Sequence, residues 1–428
     1  MKTYRNVSRK EWRRLVERPQ AAASDVSSAV FAILAEVRSR GDAAVREFSI
    51  RFDGGAPTTT RVDISERDAR AALVDPGVAE AIERAIENIT TFHRSQCGHE
   101  PDVETTPGVV CFRRSVPIER VGIYIPGGTA QLFSTLIMLA VPAVVAGCRE
   151  IVLVTPGRSE GILNPIIARC ARALGISEIY LIGGAQAIGA LAYGTESIPQ
   201  VGKICGPGNS FVTEAKLQVA AQGLAIDMPA GPSEVLVIAD DGADPRWVAA
   251  DLLAQAEHGP GSQVVLVGMS EEHIARVARE VARQCELLPR GDFAREAIEG
   301  SFALVVSSID EALEFSNLYA PEHLILSLAD PEPCVARVQN AGSVFLGYYA
   351  AEALGDYASG TNHVLPTNRA AIAYSGVSVD TFMKKITFQR VSREGLRTLA
   401  PTVVTMARAE GLEAHAQAVL VREEVRCD

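Results

Sequence analysis

The chain has 428 residues, a formal net charge of −11, 47% hydrophobic residues and 22% charged residues. This composition excludes an intrinsically disordered chain, and the length suffices for two domains with cores of their own. The negative charge argues against nucleic acid or an anionic membrane surface as the main partner, so a cationic or neutral small molecule is the better candidate.

The predicted elements form a helical region first and an α/β region after it. The first hundred residues are predicted to be helical, because apolar residues recur every three to four positions in 27–48 and 78–92. From Arg120 onward, short β-branched runs alternate with helical segments, which is typical of a parallel sheet covered by helices. Strands are expected at 121–125, 151–154, 179–182 and 203–205, and then at 235–239, 263–267, 303–307, 323–328 and 343–346. The Gly- and Pro-rich interval 223–233 separates two such units, and the chain past Val377 is predicted to be helical again.

The sequence also suggests a cellular location. The eight cysteines are scattered without a C-x-x-C pair, so neither a zinc ribbon nor a disulfide scaffold is indicated. The charged N-terminal segment lacks the apolar stretch of a signal peptide. The longest apolar run, 136–147, is interrupted by Pro142 and is too short to cross a bilayer. We therefore expect a cytoplasmic protein with reduced thiols.

The histidines are few and are concentrated in the last part of the chain. Five of the seven lie beyond residue 257, and four of these belong to polar segments with an acid or amide nearby, at 255–258, 321–323, 356–363 and 410–415. Imidazole and carboxylate groups bind borderline metal ions and transfer protons near neutral pH. The sequence therefore predicts an enzyme.

The first and third of these segments offer metal ligands. Gln255 and His258 lie three apart at the end of a predicted helix, 247–258, so both side chains share one face. A helix dipole explains a C-terminal His258 at least as well. Asp356, in a segment predicted to be a loop or an ordinary surface turn, and His415 would complete a set of oxygen and nitrogen donors that suits Zn²⁺ and also admits Mn²⁺ or Co²⁺.

Two further features bear on catalysis. Glu322 and His323 open a predicted strand, and a carboxylate beside an imidazole suits proton transfer, although a polar strand start explains the pair about as well. Glycine-rich turns follow three strands at 126–128, 183–186 and 206–209. None of them is a complete G-x-G-x-x-G sequence, so each alone indicates a dinucleotide site weakly and the three together indicate it moderately.

Ordered sequence blocks relate the chain to a known family. They include NITTFH at 88–93, RVGIYIPGG at 120–128, GGAQAI at 183–188, GPGN at 206–209, IDMPAGPSE at 226–234, DLLAQAEHG at 251–259, APEHL at 320–324, the segment 355–367 and EGLEAH at 410–415. Through these blocks the chain resembles the histidinol dehydrogenases over nearly its whole length. The resemblance implies oxidation of L-histidinol to L-histidine through the aldehyde, with NAD and one zinc ion per site as cofactors.

The resemblance also implies roles for individual residues. The implied zinc ligands are Gln255, His258, Asp356 and His415. The implied substrate contacts are Ser233, Gln255, His258, His323, Asp356, Glu410 and His415, and the implied nucleotide contacts are Tyr124, Gln186 and Asn209. Zinc is expected to hold the amino and imidazole nitrogens of the substrate. His323 is expected to take the hydroxyl proton while hydride leaves to NAD⁺, and Glu322 to activate the water that hydrates the aldehyde.

The fold that this resemblance implies is α/β, with two incomplete Rossmann-like parallel-sheet units, a helical N-terminal region and a helical C-terminal tail. We expect an N-terminal arm at 1–22, a zinc and substrate domain at 23–120 plus 230–376, an NAD-binding domain at 121–229 and a tail at 377–428. The implied assembly is an intertwined homodimer in which the tail, with Glu410 and His415, completes the partner's site. The chain departs from the family's usual sequence at Ala350-Ala351 and at Asn368-Arg369, and neither departure is at an implied ligand.

Three other interpretations are weaker. In the first, the same scaffold oxidises another polar alcohol such as a sulfonated diol, but the carboxylate of Glu410 would oppose a sulfonate. A zinc hydrolase with Glu322 as base would leave the glycine turns without a role. A binding protein with structural zinc is disfavoured, because such sites favour thiolate ligands and no cysteine lies in a ligand segment.

Overall fold

The computed structural model describes residues 1–18, 26–52, 61–98, 100–127, 132–157, 162–228 and 231–423. Its strands are β1 (Lys2–Tyr4), β2 (Val103–Thr106), β3 (Val109–Pro117), β4 (Arg120–Tyr124), β5 (Glu150–Thr155), β6 (Glu178–Leu181), β7 (Lys203–Cys205), β8 (Ala225–Ile226), β9 (Glu234–Ala239), β10 (Gln263–Gly268), β11 (Phe302–Val305), β12 (His323–Ser327), β13 (Ser343–Leu346) and β14 (Met383–Val391). Its helices are α1 (Arg9–Leu15), α2 (Ser27–Arg40), α3 (Asp42–Phe52), α4 (Ile64–Ala71), α5 (Pro76–Arg94), α6 (Phe133–Ala146), α7 (Pro165–Ala173), α8 (Gly184–Tyr193), α9 (Ser210–Ala221), α10 (Pro245–Ala256), α11 (Glu271–Cys285), α12 (Gly291–Glu299), α13 (Ile309–Tyr319), α14 (Glu332–Val335), α15 (Glu352–Tyr357), α16 (Arg393–Ala409) and α17 (Glu413–Glu423).

The described residues form two compact units. The first comprises Met1–Gln96 and Ile118–Phe382, and the second comprises Cys97–Pro117 and Met383–Asp428 as far as residue 423. The first unit contains a six-stranded sheet in the order β1-β11-β10-β9-β12-β13 and a five-stranded sheet in the order β6-β5-β4-β7-β8. All strand pairs in both sheets are parallel. The predicted α/β class with two parallel sheets is confirmed.

Burial explains why these strands were visible in the sequence. Every residue of β9 and β10 is buried, because helices cover both faces of a parallel sheet and its central strands are then continuously apolar. Each strand predicted from Arg120 onward is present within two residues of its expected bounds, and 203–205 and 343–346 have the expected bounds.

Helix starts also follow their sequence signals. Asp75 caps α5, where its Oδ1 accepts hydrogen bonds from the backbone N–H of Gly77 at 2.8 Å and of Val78 at 3.3 Å, and Pro76 occupies the first turn. The apolar run with Pro142 forms α6, which is buried along most of its length. Among the described residues, no helix combines the length and the apolar character that a bilayer crossing requires.

Several elements differ from the sequence-based expectation. Strand β1 lies in the region predicted to be helical and pairs with β11. Strands β2, β3 and β14 form an antiparallel sheet in the second unit, so a strand precedes the two helices of the predicted helical tail. Asp356 belongs to α15 and not to a loop. Residues 19–22 of the predicted arm and Gly128 of the first glycine turn lie outside the described residues.

Gly206, directly after β7, approaches the end of β4 closely. Its φ is +130°, and a Cβ there would overlap the carbonyl oxygen of Tyr124. Gly175 also has a positive φ, +71°, but faces open space. Gly206 therefore combines an unusual backbone conformation with a steric constraint, whereas Gly175 has the conformation alone.

We expect Gly206→Ala to lower the free energy of unfolding by about 3 kcal/mol, because a methyl group adds a clash to the backbone penalty. The matched control, Gly175→Ala, should cost only about 1 kcal/mol, the penalty of the left-handed conformation alone. Urea unfolding of both variants measures the difference. Equal losses in the two variants would show that β4 and β7 do not require this close approach.

Candidate functional site

A pocket lies between the two parallel sheets of the first unit. On one side are Pro207 and Asp227, which follow β7 and β8, and on the other are residues at the amino ends of β9 and β12. Six of the residues predicted for the site line this pocket, namely Ser233, Gln255, His258, Glu322, His323 and Asp356. The structure thus brings together side chains that are more than a hundred residues apart in the sequence.

The backbone of Glu234 holds the predicted proton-transfer pair. Its N–H donates to Oε2 of Glu322 at 2.8 Å, and its carbonyl oxygen lies 3.2 Å from Nδ1 of His323. That nitrogen is also 2.8 Å from Nε2 of Gln255. Glu322 and His323 are both buried, so their orientations are fixed by these contacts.

Three carboxyl groups surround His323. Its Nδ1 is 3.6 Å from Oε2 of Glu322 and 3.9 Å from Oε1 of Glu352, and its Nε2 is 3.5 Å from Oδ1 of Asp356. Burial alone would lower the pKa of His323, but Glu352 and Glu322, together with Asp356, raise it well above its usual value. The cluster therefore favours positive charge at this position.

The pKa values of the carboxyl groups in and near this cluster are shifted as well. Burial raises the pKa of Glu352 to about 8, although His323 opposes this rise. For Asp356, burial would raise the pKa, but contact with His323 holds it below its usual value. Burial also raises the pKa of Asp251 on α10 to about 7. Carboxyl groups with raised and lowered pKa values close to one another are typical of sites that transfer protons.

Buried atoms without partners test whether a metal ion suits this pocket. Oε1 of Gln255, Oδ1 of Asp356 and Nε2 of His323 are buried and have no hydrogen-bond partner in the described structure. Each such atom costs about 1–3 kcal/mol unless something binds it. Oxygen and imidazole nitrogen are donors that zinc accepts. The donor set therefore fits a divalent cation.

The described residues also offer a second group of possible cation ligands, which differs from the set that the sequence suggests. His323, Glu352 and Asp356 offer ligand atoms that all lie within 4.8 Å of one another, and only Asp356 belongs to the ligand set that the family resemblance implies. His258, just beyond α10, places Nδ1 3.3 Å from Oγ of Ser233. Burial lowers the pKa of His258, although Asp356 acts in the other direction, which favours the neutral imidazole that binds metals.

Two predicted residues belong to the other compact unit. Glu410 follows α16 and His415 lies in α17, and both are exposed. Of the four implied zinc ligands, Gln255, His258 and Asp356 belong to the first unit and His415 belongs to the second.

A second pocket collects the implied nucleotide contacts. Tyr124, Gln186 and Asn209 line it together with residues that follow β4, β5, β6 and β7. The Tyr124 hydroxyl accepts a hydrogen bond from the N–H of Gly184 at 3.2 Å. Oδ1 of Asn209 caps α9 by accepting from the N–H of Val212 at 3.1 Å, which is an ordinary structural use of asparagine. The carboxyl ends of parallel strands are where nucleotides bind in such sheets.

Three residues at or beside the first pocket had no role predicted from the sequence: Thr135 and His363 line the pocket, and Glu352 lies beside His323. Nε2 of His363 lies 3.2 Å from Oγ1 of Thr135, and its Nδ1 lies 2.7 Å from the carbonyl oxygen of Asp356. Its polar segment was noticed in the sequence, but no role was assigned. Thr135 lies at the edge of an apolar run, and Glu352 follows the departing pair Ala350-Ala351. Neither carried a chemical signal in the sequence.

Comparisons with known proteins agree with one another. The family model of histidinol dehydrogenase matches residues 16–423. The histidinol dehydrogenase of Xanthomonas campestris pv. campestris is 52% identical over 404 residues, which is 94% of each chain, and that of Bacteroides thetaiotaomicron is 50% identical over 422 residues, 99% of each chain. A crystal structure of histidinol dehydrogenase from Elizabethkingia anophelis matches with a TM-score of 0.97 at 48% identity, covering 99% of this chain and 98% of that chain.

We expect Glu352→Gln to lower the pKa of His323 in the zinc-free protein, because it removes a negative charge that favours the imidazolium form. The effect should be largest above about pH 8, where Glu352 is ionised in the unaltered protein. An NMR titration of the imidazole Cε1–H signals measures it. His273, on α11, provides the internal control and should titrate as before. An unchanged titration of His323 would refute the electrostatic coupling.

Proposed function

Since the chain belongs to the histidinol dehydrogenase family, it is an NAD- and zinc-dependent oxidoreductase of histidine biosynthesis, and we propose that it oxidises L-histidinol to L-histidine through the aldehyde. The observation that carries this proposal is the pocket in which Gln255, His258, His323 and Asp356 converge. A fold-level likeness alone would not support a substrate, whereas this convergence supplies donors for a cation and groups for proton transfer.

Zinc, in this proposal, is held by Gln255, His258, Asp356 and His415. When bound, it supplies positive charge that orients the amino and imidazole nitrogens of the substrate and disfavours a proton on His323. Gln255 donates from Nε2 to the carbonyl oxygen of Glu234 at 3.3 Å and keeps Oε1 free of hydrogen bonds, as a ligand oxygen requires.

His323 takes the hydroxyl proton of the alcohol in the first oxidation step. With Nδ1 protonated and donating to the carbonyl oxygen of Glu234 at 3.2 Å, Nε2 is the nitrogen left free to accept the proton. Glu322 is held by a single backbone N–H at Oε2, and burial raises its pKa. A carboxyl group of raised pKa accepts a proton from water more readily, which suits its proposed role in hydrating the aldehyde.

The nucleotide binds, in our proposal, in the second pocket against Tyr124, Gln186 and Asn209. NAD⁺ supplies the hydride acceptor. Residues 121–229 form the proposed NAD-binding domain, and 23–120 plus 230–376 form the proposed zinc and substrate domain. We also place the enzyme in the cytoplasm, in keeping with the seven described cysteines, which are all free.

We further propose that the enzyme is a homodimer in which Glu410 and His415 complete the partner's site. Both side chains are exposed in the described chain, and an imidazole and a carboxylate on an exposed helical tail are available to another subunit. Ser233 and Glu410 would then contact the substrate from different chains.

Purified protein should form about two NADH for each L-histidinol consumed, since alcohol-to-acid oxidation removes four electrons. Chelator treatment should abolish the reaction and added zinc should restore it. Absorbance of NADH with substrate analysis gives the ratio. A folded, zinc-loaded protein that leaves histidinol untouched but oxidises a sulfonated diol would replace this substrate assignment.

A pair of inactive variants tests the shared site. His258→Asn and His415→Asn should each lose zinc and activity, but their mixture should regain up to about a quarter of the unaltered activity, because a mixed dimer contains one site without substitutions. Refolding or slow exchange of the two proteins, followed by an NADH assay, measures the gain. His273→Asn is the control and should remain active. Absence of any gain, with mixed dimers present, would place His415 in its own chain's site.

A further inference from the structure

Arg18, in the N-terminal arm, forms a buried ion pair with Glu234. Its Nε donates to Oε1 and its Nη2 to Oε2, both at 2.7 Å, and the two side chains are 9% and 3% exposed. Nη1 donates to the carbonyl oxygen of Val16 at 2.8 Å. A planar guanidinium that meets both carboxylate oxygens fixes the orientation of its partner as well as its distance.

The same guanidinium also holds the end of α13. Its Nη2 donates to the carbonyl oxygen of Tyr319 at 3.0 Å, and its central carbon lies 3.5 Å from the centre of that ring. The next residue, Ala320, has a left-handed backbone with φ +52°, and Glu322 follows two positions later. Strained backbone of this kind persists only where the surroundings impose it.

Glu234 in turn holds both proton-transfer groups through its peptide atoms. Its N–H binds Glu322, and its carbonyl oxygen lies beside His323 and accepts from Nε2 of Gln255 at 3.3 Å. Its Oε1 also accepts from the N–H of Asn368 at 2.9 Å. A rotation of the Glu234 side chain and peptide would therefore displace every group that this peptide binds.

We propose that Arg18 is a positioning residue for Glu322 and His323, acting through Glu234 on one side and through Tyr319 on the other. The proposal rests on the proposed function only in that these two residues transfer the protons. Arg18 makes its hydrogen bonds to Glu234, Val16 and Tyr319 and to neither of these two groups. Misplacement of a reacting group by about 1 Å can reduce the rate by a hundredfold.

The test uses variants that separate charge, geometry and stability. Arg18→Lys keeps the charge but loses the two-point contact. Arg18→Met alone would leave a buried, unpaired carboxylate and is expected to destabilise the fold, so Arg18→Met with Glu234→Gln removes both charges while the glutamine oxygen can still accept from Asn368. Arg9→Met is the matched control, since Arg9 lies in the same arm and pairs with Glu314 on the surface.

Two readouts on zinc-loaded, folded protein distinguish positioning from stability. The first is kcat with the primary isotope effect for histidinol deuterated at the carbinol carbon, because an isotope effect does not depend on the fraction of folded enzyme. The second is hydrogen exchange at the backbone N–H of Glu234, which requires no substrate.

We expect the double variant to lose between about tenfold and a hundredfold in kcat, with a larger isotope effect and faster exchange at Glu234. Arg18→Lys should be intermediate, and Arg9→Met should match the unaltered enzyme. An unchanged isotope effect, with kcat lowered only in proportion to folded protein, would overturn the proposal. If the unaltered enzyme did not oxidise histidinol, the proposed function would fail. Hydrogen exchange at Glu234 would then decide on the positioning role alone. Faster exchange in the double variant would support the positioning contact, and unchanged exchange would refute it.

Discussion

Burying His323 among Glu322, Glu352 and Asp356 imposes a charge balance on the first unit. Each carboxyl group lies 3.5 to 3.9 Å from a ring nitrogen, and an isolated charge at such depth would be prohibitively costly. One imidazolium offsets one carboxylate, so the cluster can hold either protons or an additional cation. This excess of acid over base is the physical reason why the pocket suits a divalent ion, and why β12 and α15 must meet with so little tolerance.

The two sheets contribute opposite strand ends to the two pockets. In the five-stranded sheet, the turns after β4 to β7 line the proposed nucleotide pocket, as expected for carboxyl ends of parallel strands. In the six-stranded sheet, Ser233 and Glu322 precede β9 and β12, so the site uses the amino ends. Because a carboxyl edge of one sheet faces an amino edge of the other, the proposed hydride acceptor and proton acceptor can approach one substrate from different sheets.

Much of this arrangement was predictable from the sequence, for identifiable reasons. The parallel strands were found because burial on both faces makes them continuously apolar, as in β9. Four polar segments were recognised as candidate ligand or proton-transfer positions because the chain has only seven histidines and four of them lie in these segments, near acids or amides. The pairing of β3 with β14 was not foreseen, since it joins residues far apart in the chain and neither strand is buried as a whole. Asp356 was expected in a loop because its neighbours favour turns, yet packing placed it in α15. Glu352 gave no signal, because its raised pKa comes from burial and not from sequence.

The antiparallel sheet of the second unit has a consequence for the order in which the protein is made. Strand β3 pairs with β14 along nine residues, from Met383 opposite Pro117 to Val391 opposite Val109. At about 5–20 residues per second, the ribosome leaves β3 without that partner for tens of seconds after its synthesis. An unpaired strand of this length is a template for association with other chains. This edge of β3 is therefore covered only when about the last tenth of the 428-residue chain is made, and chains that end before Met383 would leave it exposed permanently.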